Sequence, residues 1–159
     1  MNRLYGLIGF PLGHSFSARY FTEKFQRENL SGYEYRNFPL ESIRELPAML
    51  ENHPGLLGFN VTIPYKQEVI PSLTALSAEA REIGAVNCVK ITPQGLYGHN
   101  TDAYGFRKSL LGLIGPMRPD ALILGTGGAS KAVGYVLREL GIAYTTVSRS
   151  GPAGFVTGN

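Results

Sequence analysis

The segment Ala121-Leu-Ile-Leu-Gly125-Thr126-Gly127-Gly128-Ala129-Ser130 reads as a strand running into a glycine-rich turn. The residues after the turn read as a helix. Ala129, Ala132, Val133, Val136, Leu137 and Leu140 recur at helical spacing and make one apolar face. Gly141 stands where a glycine ends a helix, and residues 143–147 read as a second strand. Strand, turn, helix and strand make one βαβ unit, whose crossover is expected to be right-handed. The turn has the form Gly125-x-Gly127-x-x-Ser130 in the context a dinucleotide fingerprint requires. The first glycine permits the tight turn, the second lets backbone approach a pyrophosphate, and a small third residue lets helix and strand pack closely. The helix N-terminus then offers N–H groups and a positive dipole end to phosphate. An ordinary glycine-rich turn would carry the same residues; the strand before and the helix after favour the dinucleotide reading.

The end of the second strand bears on which dinucleotide. A carboxylate there would bond a ribose 2′-hydroxyl and select NAD. The sequence has Ser148-Arg149-Ser150 instead. A guanidinium suits a 2′-phosphate, with its permanent charge and forked donors, so NADP is the expected cofactor. A solvated arginine after a strand is the plain alternative.

Upstream, Gly115-Pro116-Met117-Arg118-Pro119 is a stiff connector and an expected domain boundary, dividing the chain into residues 1–114 and 115–159. In the first part, residues 4–10 and 56–63 are short apolar runs ended by proline, which read as buried strands. Residues 33–38 are rich in strand formers. Residues 86–91 and 95–99 flank Thr92-Pro93-Gln94-Gly95 as a hairpin. Helices are expected from Ser15 or Ser17 to about Asn29, over residues 41–51 despite Pro47, over 74–83, and over 101–113 with Asn100 or Thr101 as cap. Residues 151–159 carry no clear pattern. The fold class is therefore α/β: an N-terminal α/β domain, then the first βαβ unit of a Rossmann-type domain.

Composition narrows the function classes. Hydrophobic residues make up 43% and charged residues 17% of 159, a globular balance. No apolar run approaches the roughly 20 residues of a membrane helix, and the start has no secretory h-region. The net charge of +3 comes from scattered basic residues, so neither nucleic acid nor a membrane is an expected partner. The single cysteine, Cys88, excludes an internal disulfide and points to a reducing compartment. His14, His53 and His99 have no metal-ligand spacing with Cys88, and no metal is expected.

Chemistry-bearing residues gather at the predicted ends of elements. Asn60-Val61-Thr62-Ile63-Pro64-Tyr65-Lys66 closes the second apolar strand, where α/β folds usually hold ligands. Taken alone, Lys66 reads as a surface lysine opening a helix; in a pocket it suits proton transfer. Asn100-Thr101-Asp102 reads first as a helix cap, which does not exclude an acid–base role for Asp102. Ser15 and Ser17 read first as capping and solvated hydroxyls, and second as a pair facing a small polyol.

Read in order, the motifs are more specific than any one of them. They run Gly9-Phe-Pro-Leu-Gly-His-Ser15-x-Ser17, Asn60 through Lys66, Gly84-Ala-Val-Asn87, Gly98-x-Asn100-Thr-Asp102-x-x-Gly105, Gly125 through Ser130, and Ser148-Arg149-Ser150. This series resembles the shikimate dehydrogenase family along the whole chain. The resemblance implies a cytoplasmic enzyme of aromatic amino acid biosynthesis that reversibly reduces 3-dehydroshikimate to shikimate with NADP. It implies that Ser15 and Ser17 bind the substrate carboxylate. Asn60, Thr62, Asn87 and Asp102 would hold ring hydroxyls, with Lys66 and Asp102 as the catalytic pair. NADP would lie on Gly125, Gly127, Gly128, Ala129 and Ser130, with Ser148, Arg149 and Ser150 beyond. Ala18 and Phe21-Thr22 depart from the family pattern after the serines, and residues 151–154 lack its second basic residue. The family is longer, so a chain of this length alone is expected to be poorly stable or self-associated and nearly inactive. A homodimer is admitted, not required. The alternatives are a quinate/shikimate dehydrogenase using NAD, which would favour an acidic residue near Arg149, and a non-catalytic shikimate-binding module.

Overall fold

The apolar run at the N-terminus becomes the middle of a sheet. In the computed structural model, which describes residues 3–148 and 155–158, Arg3–Gly9 forms β1 and pairs in parallel with both β2 (Tyr33–Pro39) and β3 (Leu56–Val61). Beyond β3 the pairing reverses. The hairpin β5 (Cys88–Thr92) and β6 (Gly95–His99) joins antiparallel to β3, and the two-residue β4 (Ala75–Leu76) lies parallel to β6. The strand order is β2-β1-β3-β5-β6-β4. Together with α1 (Ser17–Arg27) and α2 (Leu46–Glu51), this sheet makes the first of two compact units, residues 3–77 and 86–99.

Register fixes which residues share a face, because side chains alternate along each strand. Ile8 sits opposite Val61, and Phe59 opposite Val89; all four are almost fully buried on one face. On the other face Leu7 and Tyr35 are buried against Leu12, Ala18, Phe21 and Phe25, so α1 covers that side of β1 and β2. Phe21 stacks on Tyr35 with ring centroids 4.5 Å apart. The approach to α2 is set by a capping box. The Ser42 hydroxyl accepts from the Arg44 N–H, and Glu45 Oε1 accepts from the Ser42 N–H. Pro47 therefore falls in the first turn of α2, where its missing N–H costs nothing.

The second unit groups residues 78–85 with residues from 100 onward. It holds α3 (Ala78–Ile83), α4 (Asp102–Ile114), β7 (Ala121–Leu124), α5 (Gly128–Glu139), β8 (Tyr144–Val147) and β9 (Phe155–Gly158). β7 and β8 run parallel, joined through α5. Ala132, Tyr135, Val136 and Leu137 of α5 are buried among Ile83, Ala85, Ala103, Ile114, Ile123 and Ile142. By packing, α4 thus goes with α5, whereas the connector at Gly115 suggested a division after residue 114. The helix stop at Gly141 is as read. Its φ is +65°, its N–H bonds the Arg138 carbonyl, and the Ile142 N–H bonds the Leu137 carbonyl at 2.9 Å. Those two bonds form a Schellman motif, and its usual hydrophobic contact is Ile142 with Leu137.

Three expectations change. The helix expected over residues 74–83 begins only at Ala78. Thr74 to Leu76 lie instead along β6, with the Thr74 N–H on the Leu96 carbonyl and the Thr74 hydroxyl accepting from the Leu96 N–H. An open sheet edge offered those residues partners that outweigh helical propensity. Residues 155–158, read as patternless, pair antiparallel with β8. No α-helix starts at Lys66; a series of turns leads from Val61 to a single 3-10 turn at Ile70–Ser72.

Three buried tyrosines give the fold an alkaline limit. The Tyr65 hydroxyl donates to the Leu40 carbonyl at 2.6 Å. Burial, with Glu68, Glu45 and Glu41 adding, raises its pKa above the ordinary value. Burial first, then Glu139, Glu82 and Glu79, raises that of Tyr135. Tyr35 shifts the same way, again chiefly through burial. Above pH about 10 the unfolded phenols lose protons that the folded ones keep, so stability falls as pH rises through that point. Urea midpoints measured from pH 8 to 11 should decline above about pH 10. The decline should be shallower in Tyr65→Phe. Parallel profiles for the two proteins would contradict this assignment.

Candidate active site

The end of β1 and the end of β3 are stitched together beyond the strands. The Thr62 N–H donates to the Ile8 carbonyl at 2.9 Å, and the Phe10 N–H to the Ile63 carbonyl at 3.0 Å. On the far side of β1 the Leu40 N–H donates to the Gly9 carbonyl at 3.2 Å. Two loops thus leave the carboxyl ends of parallel strands side by side, the place where α/β folds form ligand crevices. A cleft of about 420 Å³ opens there, lined by Phe10, His14, Ser15, Ser17, Thr62 and Ile63 among others. Ser15, Ser17 and Thr62 are all half-buried, and the fold brings these three predicted residues together. The Ser17 N–H donates to the Ser15 hydroxyl at 3.3 Å. Ser15 therefore restrains the start of α1 from one residue before the formal cap, Phe16, which has no capping side chain.

Asn60 and Asn87 are coupled through backbone. The Asn87 carbonyl accepts from the Val61 N–H at 2.9 Å and from Asn60 Nδ2 at 3.2 Å. The Asn87 N–H donates to the His99 carbonyl at 3.1 Å. Asn60 Oδ1 accepts from the Tyr35 hydroxyl at 2.8 Å. The Tyr35 pKa is raised, chiefly by burial and next by the Cys88 sulfur, while a hydrogen bond with Ser17 acts the other way. Burial likewise raises the Cys88 thiol. Tyr35 escaped the sequence reading, because only register carries it over β1 to Asn60, 25 positions along. Lys66 is half-buried and its backbone is fixed on both sides. The preceding residue, Tyr65, is buried, and the Lys66 carbonyl accepts from the Val86 N–H at 2.7 Å.

In the second unit, Asn100 is 3% exposed and spends its amide at both ends. Nδ2 donates to the Ala85 carbonyl at 2.9 Å, and Oδ1 accepts from the Ala103 N–H at 3.2 Å. Of the two cap candidates, Asn100 caps α4 with its side chain, whereas Thr101 makes no side-chain cap bond. Asp102 follows, half-buried in the first turn, where the helix dipole favours a carboxylate. Lys66 belongs to the first unit and Asp102 to the second.

The glycine-rich turn has the geometry its residues suggested. Gly125 has φ +118°, and its N–H donates to the Val147 carbonyl at 2.8 Å. A side chain there would be strained. Ser130 lies against this turn: its hydroxyl is 3.5 Å from where a Gly125 Cβ would stand. Gly127, in extended conformation, begins α5, and a Cβ on it would meet nothing within 4 Å. The turn is thus open in front of the N-terminus of α5, with Gly128 and Ala129 as its first residues, and it fits a phosphate. A cavity of about 340 Å³ adjoins it, lined by Thr126, Ser130, Lys131, Arg138 and Thr146 among others. Ser148 is half-buried just beyond β8; Arg149 and Ser150 lie outside the described residues. Among the described residues no group of three or more His, Cys, Asp or Glu could hold a metal ion. Among them too, no helix is long and apolar enough to cross a membrane.

Fold and site together define an α/β protein with a polar cleft at the strand ends of one unit and a phosphate-fitting glycine turn in the other. Comparison with known proteins names its kind. Residues 7–89 match the family model for the shikimate dehydrogenase substrate binding domain, and the chain belongs to the shikimate dehydrogenase family. The shikimate dehydrogenase (NADP(+)) of Aquifex aeolicus is 42% identical over 142 residues, 87% of this chain and 52% of that protein. The crystal structure of shikimate dehydrogenase from Aquifex aeolicus superposes with a TM-score of 0.83 at 40% identity, over 94% of this chain and 56% of that one. The enzyme from Thermus thermophilus, solved in complex with NADP(H) and shikimate, gives 0.82 at 34% identity, over 94% and 57%. The chain spans about half the length of the curated relatives it matches.

Asn100→Ala should leave both the Ala85 carbonyl and the Ala103 N–H without their partner. The expected loss is about 1–3 kcal/mol in urea unfolding. A change below about 0.5 kcal/mol, the range of an ordinary surface substitution, would mean that water replaces the amide without cost.

Proposed function

We propose that this chain carries the substrate-binding part and the first cofactor-binding unit of a cytoplasmic, NADP-dependent shikimate dehydrogenase, which reversibly reduces 3-dehydroshikimate to shikimate. The observation that carries the reading is the cleft shared by Ser15, Ser17 and Thr62 at the stitched ends of β1 and β3. In this reading the two serines bind the substrate carboxylate. Asn60, Thr62, Asn87 and Asp102 hold the ring hydroxyls. The division at residue 114 is one of role and not of packing, since α4 packs with α5: residues 1–114 bind substrate and supply catalysis, and residues 115–159 begin the cofactor domain.

NADP supplies the hydride when bound. Gly125, Gly127, Gly128, Ala129 and Ser130 would hold its pyrophosphate, with Ser148, Arg149 and Ser150 toward the adenosine ribose. As the ring carbonyl becomes an alkoxide, the chain must steady negative charge and deliver one proton. Lys66 and Asp102 are the proposed acid–base pair. A cation near the developing alkoxide lowers the barrier, and a carboxylate on a rigid cap keeps the pair oriented. The fixed backbone at Lys66 and the Asn100 cap beside Asp102 support that role.

Titrating shikimate into the folded chain by calorimetry, with quinate as control, tests the reading. Saturable binding of shikimate is expected, weakened at least about tenfold, or 1.4 kcal/mol, by Asp102→Ala. No heat of binding from a chain whose circular dichroism shows it folded would overturn the assignment of the cleft.

A further inference from the structure

Tyr35 lies mid-strand in β2, 7% exposed, with its ring pinned by the stack on Phe21. Its hydroxyl, the only polar atom of the side chain, reaches over β1 to the Asn60 carboxamide and also shares a hydrogen bond with Ser17. The direction of the bond with Asn60 follows from its surroundings. The Asn87 carbonyl can only accept, so the nitrogen of the Asn60 amide must face it. The oxygen then faces Tyr35, and the phenol must donate. A carboxamide has two N–H groups and two oxygen lone pairs. One of each is spent within the protein, which leaves one donor and one acceptor for a ligand. A hydroxyl group, which both accepts and donates, satisfies that remainder; a carbonyl or an ether oxygen satisfies only half of it.

We propose that Tyr35 is a positioning residue for the substrate: with Asn60 it lines the groove beside the cleft, to which Leu7, paired with Asn60, belongs, and it locks the Asn60 carboxamide in the one orientation that offers a ligand hydroxyl both a donor and an acceptor. The proposal rests on the reading of the cleft as a polyol site and deepens it: Tyr35 acts on the substrate through Asn60. Without the phenol, the amide loses the bond that fixes its oxygen, and rotation about the side chain competes with binding.

Tyr35→Phe keeps the stack on Phe21 and removes only the hydroxyl. Two readouts separate this proposal from the functional reading beneath it. The first needs no ligand: the two side-chain N–H resonances of Asn60, assigned by their loss in Asn60→Ala, should shift in Tyr35→Phe while the backbone amides of β1 keep their positions. Unmoved Asn60 resonances overturn the proposal, whether or not shikimate binds. The second is a cycle of shikimate affinities. Tyr35→Phe should weaken binding roughly three- to tenfold in the native background, as expected for one lost hydrogen bond, and clearly less in Asn60→Ala, where only its bond with Ser17 is left to lose. Equal loss in both backgrounds would mean that Tyr35 acts independently of Asn60, and would also overturn it. If the native chain binds no shikimate, the functional reading fails and the resonances alone decide the role of Tyr35.

Discussion

The parallel pairing of β1 with β3, continued past both strands by the Thr62 and Phe10 backbone bonds, is the constraint on which the site depends. Neither loop could be held by its own sequence. Residues 10–16 and 62–66 are short, polar in part and interrupted by proline, and each would be mobile alone. Closing the ladder across their bases turns two loops into the walls of one cleft. The same register puts Asn60 on the face shared with Leu7 and Tyr35, and leaves Val61 on the opposite, buried face beside Ile8. A slip of one residue would exchange those faces, bury the amide and expose the valine. Packing of Ile8, Phe59, Val61 and Val89 therefore does more than stabilise the sheet: it decides which side chains of the Asn60-Val61-Thr62 motif can meet a ligand.

The second unit solves a different problem with the same means. Its helices α3 and α4 pack on α5, and the residues that carry chemistry sit at helix beginnings. Asn100 ties the start of α4 to Ala85, so that Asp102 is presented by a buried, doubly bonded cap. The N-terminus of α5 is left open by three glycines in four positions, Gly125, Gly127 and Gly128. The first unit carries hydroxyls and amides at its strand ends, and the second carries a carboxylate and an open helix N-terminus. Leu122 and Leu124 of β7 are exposed, an apolar strip of the kind a further packed element covers in α/β folds.

Much of this was legible in the residues. Apolar runs ended by proline gave β1 and β3, the Thr92-to-Gly95 turn gave the hairpin, and Gly141 gave the end of α5, because each is a local rule with a local cause. What could not be read depends on contacts distant in sequence. Thr74 to Leu76 favour helix by themselves and became strand because β6 had a free edge. The grouping of α4 with α5 follows from the matching apolar faces of two helices, which the proline-rich connector between them conceals. Of the proposed site, Ser15, Ser17, Thr62, Asn60 and the glycine turn were named from motif order, and the fold brings Ser15, Ser17 and Thr62 to one cleft. Tyr35 was not, since nothing in Tyr33-Glu-Tyr-Arg distinguishes a tyrosine that orients an amide from one that fills a core.

The central claim is that the stitched ends of β1 and β3 hold the substrate. Backbone chemical shifts of the isotope-labelled chain, followed during addition of shikimate, test it residue by residue. The account predicts saturable shifts concentrated at Ser15, Ser17, Asn60, Thr62 and Lys66, with the Gly125 to Ser130 turn responding to NADP instead. Shifts confined to another surface, such as the groove lined by Thr92, Gln94 and Tyr97, would contradict it and move the ligand site off the strand ends.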